Sequence, residues 1–166
     1  MLRFPLKLLP DVTNNKIANY FYIAFSFIAV IILMDFILPG EVVTDRIKFV
    51  NKKREQYTNA AKNFHYSYEI ITNEDRFTVN EDFATIAKMD DEITYSKSRI
   101  FSEVNWYRLV YSDDKSHSTM RILTGMIVPL LVIVVMLIAA RIERDISTFA
   151  FVVQVLLIAD LVYLIL

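Results

Sequence analysis

With 166 residues, 55% of them hydrophobic and only two of them glycine, the chain carries more apolar surface than a soluble domain of its size hides in a core. Its 18 basic and 19 acidic side chains nearly cancel, which argues against a nucleic-acid partner, since that would want a net basic surface. The sequence holds no cysteine, so disulfides, thiolate nucleophiles and thiolate metal sites are excluded as well.

Residues 1–16 read as a basic tail carrying Arg3, Lys7 and Lys16. The first long apolar run is Ile17–Leu38. Twenty-two residues at about 1.5 Å each give roughly 33 Å, which matches a hydrocarbon core of roughly 30 Å. Its strongly polar members, Asn19 and Asp35, lie near opposite ends, and Pro39-Gly40 stops it. The run exceeds the roughly 7–15 residues of a signal core and no small-x-small cleavage site follows, so it reads as an uncleaved anchor.

Residues 39–120 change character to mixed charge with spaced aromatic and branched side chains. Val42–Phe64 is ambiguous. Val43, Ile47 and Phe49 could open a strand. Ile47, Val50, Tyr57, Ala60, Ala61 and Phe64 fit a helical stripe, and the helix formers Lys52–Gln56 favour a helix or a hairpin tip. Tyr66, Tyr68 and Ile70 alternate with polar neighbours as a strand does. Asn73-Glu74-Asp75 supplies turn chemistry, and Arg76-Phe77-Thr78-Val79 reads as the returning strand. Glu81–Lys88 fits a short helical segment capped by Asn80. Further strands are expected at Ile93–Tyr95, after the turn-like Met89-Asp90-Asp91, and at Val104–Val110. The expectation is a thin antiparallel unit of four or five strands, barrel-like in outline, leaning on the membrane helices or on a partner.

The second span is expected over 121–140, with Arg121 at its start and Thr124, Gly125 and Pro129 inside it. Pro129 removes one backbone bond and should kink the helix. A tight turn at 141–145 leads to the third span, 146–166, which contains Gln154 and Asp160. In lipid all three runs must be helical, because unpaired backbone groups there cost several kcal/mol each. The fold class expected is therefore a membrane α-helical protein of three transmembrane helices with a small antiparallel β (α+β) domain inserted between helices 1 and 2.

Short basic loops tend to stay cytoplasmic. Arg3, Lys7 and Lys16 in the tail and Arg141 and Arg144 in the turn therefore place both on that side and the domain on the exported side. Arg46, Lys48 and Arg121 pull the other way. The Lys, Asn, Ile, Tyr and Phe bias suggests an AT-rich genome and a bacterial cytoplasmic membrane.

Chemistry-bearing clusters are scarce. His65 and His117 lie far apart without a ligand motif, Asp90-Asp91-Glu92 reads as a solvated turn, and Ser96-Lys97-Ser98 matches no serine-nucleophile pattern. Two glycines do not build a phosphate-cradling loop. No catalytic, metal-binding or cofactor-binding residue is expected. Ionisable groups inside a span are expensive and so are functional candidates. The topology puts Asp35, Arg121 and Asp160 in one leaflet, where they form a polar site between helices, form an Asp–Arg pair that fixes the bundle, or simply lie exposed at the headgroups. Gln154 should hydrogen-bond a neighbouring helix. The run Lys52-Lys53-Arg54 either touches anionic headgroups or lies solvated on a surface. Together these features point to a non-catalytic membrane subunit that contacts the bilayer and other membrane proteins or itself. A transport component built on Asp160 and Gln154, and a membrane-anchored sensor, are the alternatives.

Overall fold

The structure, a computed structural model, describes residues 12–56, 64–141 and 147–165. Helix α1 (Val12–Ile37) comes first. Among the described residues six strands follow: β1 (Glu41–Arg46), β2 (Phe49–Gln56), β3 (Phe64–Ile71), β4 (Arg76–Val79), β5 (Glu92–Lys97) and β6 (Val104–Leu109), with a short helix α2 (Glu81–Ile86) after β4. Helices α3 (Thr119–Arg141) and α4 (Ser147–Ile165) close the chain. Three stretches, Ile17–Ile37, Thr119–Arg141 and Thr148–Ile165, are long and apolar enough to cross a membrane. The fold is thus a mixed one, three long apolar helices with a small antiparallel β unit between the first two.

The strands form two three-stranded antiparallel sheets, ordered β1-β5-β6 and β2-β3-β4. This corrects the expected four or five strands, and the cause lies in the ambiguous stretch. Up to Gln56 it is extended rather than helical, and it is divided at Ile47-Lys48, where the chain passes from one sheet to the other. The Ile47 N–H donates to the Asp91 carbonyl (3.0 Å) and its own carbonyl accepts from Asp90 (2.8 Å), while the Lys48 N–H donates to Ile71 in the second sheet (2.8 Å). Pairing along the whole of β3 outweighs the helix propensity of Lys52–Gln56. Tyr57, Ala60 and Ala61 lie outside the described residues.

Both sheets contribute to one core. Ile47, Ile70, Phe77 and Val79 meet Ile93, Tyr95, Tyr107 and Leu109, and Phe83 of α2 closes one side. The Phe77 ring lies 5.0 Å from Tyr95, and Phe83 meets Tyr107 edge-on at 4.6 Å. Each buried tyrosine hydroxyl has a polar partner. Tyr95 donates to Asp75 Oδ2 (2.7 Å), and Tyr107 accepts from the Asn80 N–H (2.9 Å). Burial, reinforced by Asp75, pushes the Tyr95 hydroxyl up; burial pushes Tyr107 to about 12 against the opposing hydrogen bond from Asn80.

Two local expectations change in detail. Asn80 holds the N-cap position of α2, yet its side chain makes no cap bond there and donates instead to the His117 carbonyl (2.8 Å). The Asn73-Glu74-Asp75 turn is pinned from a distance, because Asp45 on β1 accepts from the Asn73 N–H (2.8 Å), the Glu74 N–H (3.2 Å) and the Asn73 side chain. Burial alone would raise the Asp45 carboxyl, but these bonds and one from the Arg46 N–H hold it down at about 2.

The long helices stand in a row. Ala29 and Ile32 of α1 pack on Val132, Val135 and Met136 of α3, and Ala150, Val153 and Leu157 of α4 pack on the same helix. Helices α1 and α4 barely meet, so α3 is the central member. Gly125 allows the close approach of α1: a Cβ there would sit 2.6 Å from the Phe36 ring. Just before the buried Pro129, residues Leu123–Ile127 widen into a π-helical turn, with the Val128 N–H bonded to Leu123. The irregularity expected at Pro129 is therefore a bulge on its N-terminal side. Arg121 falls inside the first turn of α3, which starts at Thr119. The basic tail as far as Asp11 and most of the 141–145 turn fall outside the described residues.

Candidate functional site at the junction of domain and helices

The C-terminal end of α1 would present its last carbonyls to a low-dielectric surrounding with nothing to pair them. Asp35 in that last turn makes the problem worse, since a negative charge opposes the helix dipole there. The chain resolves both with groups from two other elements. Arg121 of α3 donates through Nη2 to Asp35 Oδ2 (3.2 Å), and the two side chains are 3% and 1% exposed. Asn105 of β6 donates to the carbonyls of Asp35 (3.3 Å) and Phe36 (3.2 Å) while its Oδ1 accepts from Arg121 Nε (2.8 Å). The Ile100 N–H, in the loop between β5 and β6, donates to the second Asp35 oxygen (2.9 Å). Phe101 from the same loop packs against the helix core, and the Arg121 guanidinium lies 5.6 Å from the Phe36 ring centroid.

The node has more negative charge than it pairs. Glu103 and Asp160 both lie within the field of Arg121. Among the described residues, four buried side-chain atoms lack a hydrogen-bond partner: Arg121 Nη1 and Asp160 Oδ2 here, and Glu69 Oε2 and Arg108 Nε in the β domain. Burial pushes the Glu103 carboxyl up, the Arg121 charge opposes this, and the Asp35 charge adds to it. Beside the node opens a cavity of about 230 Å³ lined by Arg121, Glu103, Thr124, Met120, Tyr163 and Glu69 among others. A larger groove of about 730 Å³ under β3 shares Glu69, Ser118, Met120 and Tyr163 with it.

Of the polar residues singled out in the sequence, the structure joins Asp35 and Arg121 directly and brings Asp160 within their field. Gln154 stands apart. Its side chain donates to Met136 Sδ at 3.7 Å, an interhelical contact between α4 and α3. Lys52, Lys53 and Arg54 lie on β2, an edge strand. There Lys52 Nζ sits 3.9 Å from the Tyr66 ring centroid and Lys53 pairs with Glu69 (3.1 Å); Arg54 is engaged as well. Such charges also guard a free sheet edge against pairing with another chain. Asp91 caps the Lys88 N–H (3.0 Å), and Asp90 takes a positive φ of 68° in the expected turn. Ser96 is 1% exposed.

Asn105, Glu103 and the Ile100 N–H were not foreseen. A single asparagine in an apolar strand carries a weak signal, because such a residue needs a buried polar partner, but its sequence does not say which. His117 turns out to be structural too: its Nδ1 bonds the Asn105 carbonyl (2.8 Å). Among the described residues no three carboxylate or imidazole groups converge as a metal site. No family model, no curated protein and no solved structure matches this chain.

Proposed function

We propose that this chain is a non-catalytic integral membrane protein, an accessory or scaffold subunit whose β domain docks partners at a fixed position above the bilayer. The observation that carries the reading is the seating of the domain. Asp35, Arg121, Asn105 and Ile100 tie the end of α1, the start of α3, strand β6 and the β5–β6 loop into one buried node. A domain held this way presents its far end in a constant attitude. That end exposes Met89, Val110 and Tyr111. Uncovered apolar residues along α1, such as Phe21, Ile23 and Phe27, suit acyl chains or the helices of other subunits. The proposed location is the bacterial cytoplasmic membrane, with a cytoplasmic amino terminus and an exported domain.

Purification in mild detergent followed by mass spectrometry tests the docking role; different polypeptides should copurify in fixed ratio, and a lone chain would count against it. Alkaline carbonate should leave the protein in the vesicles. For orientation, Asp114→Cys, at an exposed position, should react with an impermeant thiol reagent in intact spheroplasts. Labelling only after lysis would reverse the topology.

One observation favours a second reading. The unpaired, buried Asp160 oxygen is the kind of group that transport paths use, so copies of this chain assembled around Asp160 and Gln154 form the alternative. Asp160→Asn would then abolish flux through a ring of defined mass while leaving the fold intact.

A further inference from the structure

The cavity beside the node is a built site. Arg121 lines it with a side chain 3% exposed, and one of its donors, Nη1, lacks a partner among the described residues. A buried guanidinium N–H left unmade costs more than an ordinary hydrogen bond returns, so an acceptor from a ligand fits there. An anion alone fits poorly, because Glu103 lines the same cavity and Asp160 adds to the negative field. Among the described residues no ion pair holds the Glu103 carboxylate. One spare donor and one spare carboxylate, lining the same cavity, are complementary to a zwitterion.

Location narrows the source. Met120 opens α3 and Tyr163 lies near the end of α4. Both line the cavity, and they are 51% and 48% exposed. Tyrosine near the end of a span marks the headgroup level. At about 230 Å³ the space is smaller than the roughly 300–1,000 Å³ of drug-sized pockets, a size for a compact polar head whose tails stay outside.

We infer that this cavity binds the headgroup of an aminophospholipid of the ethanolamine type, its phosphate oxygen accepting from Arg121 Nη1 and its primary ammonium donating to Glu103. The inference rests on the membrane reading above. A choline head carries the same charges but has no N–H to donate, and a glycerol head carries no cation, so the site discriminates among the three.

The test uses the full chain in mild detergent, titrated with short-chain phosphatidylethanolamine, phosphatidylcholine and phosphatidylglycerol. Retention is read by native mass spectrometry and protection by the thermal midpoint. Ethanolamine lipid should be held at least about tenfold more tightly than the other two, a difference of about 1.4 kcal/mol. Glu103→Gln, with an unchanged midpoint in lipid-free detergent, should erase that preference while keeping residual phosphate-dependent binding. Equal retention of all three lipids, or a preference that survives Glu103→Gln, overturns the inference. Free phosphoethanolamine protecting as well as the lipid overturns the lipid source. Carbonate extraction of the same membranes separates the two levels: release of the chain sinks the membrane reading, whereas retention without ethanolamine preference sinks this site alone.

Discussion

Asp35→Ala is the sharpest perturbation of the junction. It removes the carboxylate 3.2 Å from Arg121 and the acceptor of the Ile100 N–H. Arg121, 3% exposed, cannot turn to water. Breaking a buried ion pair from one side costs roughly 3–5 kcal/mol. The neighbouring charges of Asp160 and Glu103 offset part of that, which places the expected loss near the lower end, about 3 kcal/mol. For a chain of this length each kcal/mol moves the midpoint by about 2–4 °C, so thermal unfolding in mild detergent, followed by circular dichroism, should shift down by roughly 6–12 °C. Arg121→Met should cost less, about 2 kcal/mol, because Asp35 keeps the Ile100 N–H as a partner and the methionine fills much of the space of the guanidinium stem. The double variant Asp35→Ala with Arg121→Met removes both charges together and should recover to within about 2 kcal/mol of the native chain, with Asn105 Oδ1 and the Ile100 N–H as the groups left unserved. The double-mutant cycle should thus show a coupling above about 2 kcal/mol. Additive single effects, or an Asp35→Ala midpoint within about 2 °C of native, would refute the account of the node.

Three other outcomes follow from the same geometry. Asp45→Asn keeps the side-chain shape but offers N–H groups to the N–H donors of Asn73 and Glu74, and should cost about 1 kcal/mol at neutral pH after allowance for partial exposure. Because the native Asp45 carboxyl sits at about 2, below its unfolded value near about 3.9, the stabilisation is present above about pH 4 and is lost as pH falls through about 2. Denaturation midpoints of native and variant should therefore converge in acid; a constant gap would contradict the sign. Gly125→Ala drives a methyl to 2.6 Å from the Phe36 ring and should cost about 1–3 kcal/mol, partly restored by adding Phe36→Leu and measured by the same thermal assay. Ser102→Gly relieves a non-glycine residue at φ 60° and should stabilise by about 0.5–1 kcal/mol, the left-handed penalty less glycine's greater chain entropy; a fall in midpoint would mean that the Ser102 side chain holds the loop.

The long helices were legible because membrane-compatible length and composition are properties of a contiguous run. Ile17–Ile37, Thr119–Arg141 and Thr148–Ile165 fall within a few residues of the expected bounds. The β3–β4 hairpin and strand β5 were legible through alternation and turn residues. The division of the first strand at Ile47-Lys48 was not, since the bonds that fix it come from Asp90, Asp91 and Ile71, remote in sequence. The site was half legible. Asp35 and Arg121 stand out as charges in apolar runs, but Asn105 completes the node from a strand some seventy positions from the carbonyls it caps. Local pattern does not encode that distance. Asn80 shows the same limit, its cap chemistry diverted to His117.

Only Leu38, Pro39 and Gly40 separate α1 from β1. At Gly40 the backbone lies so close to the Lys97 carbonyl that a Cβ would fall 1.9 Å from it. The anchor and the sheet thus meet without a flexible spacer. In a bilayer thinner than its apolar length, α1 accommodates by leaning, and a rigid coupling turns that lean into a rotation of everything mounted above it. The direction of α1 and the attitude of the first sheet are therefore set together.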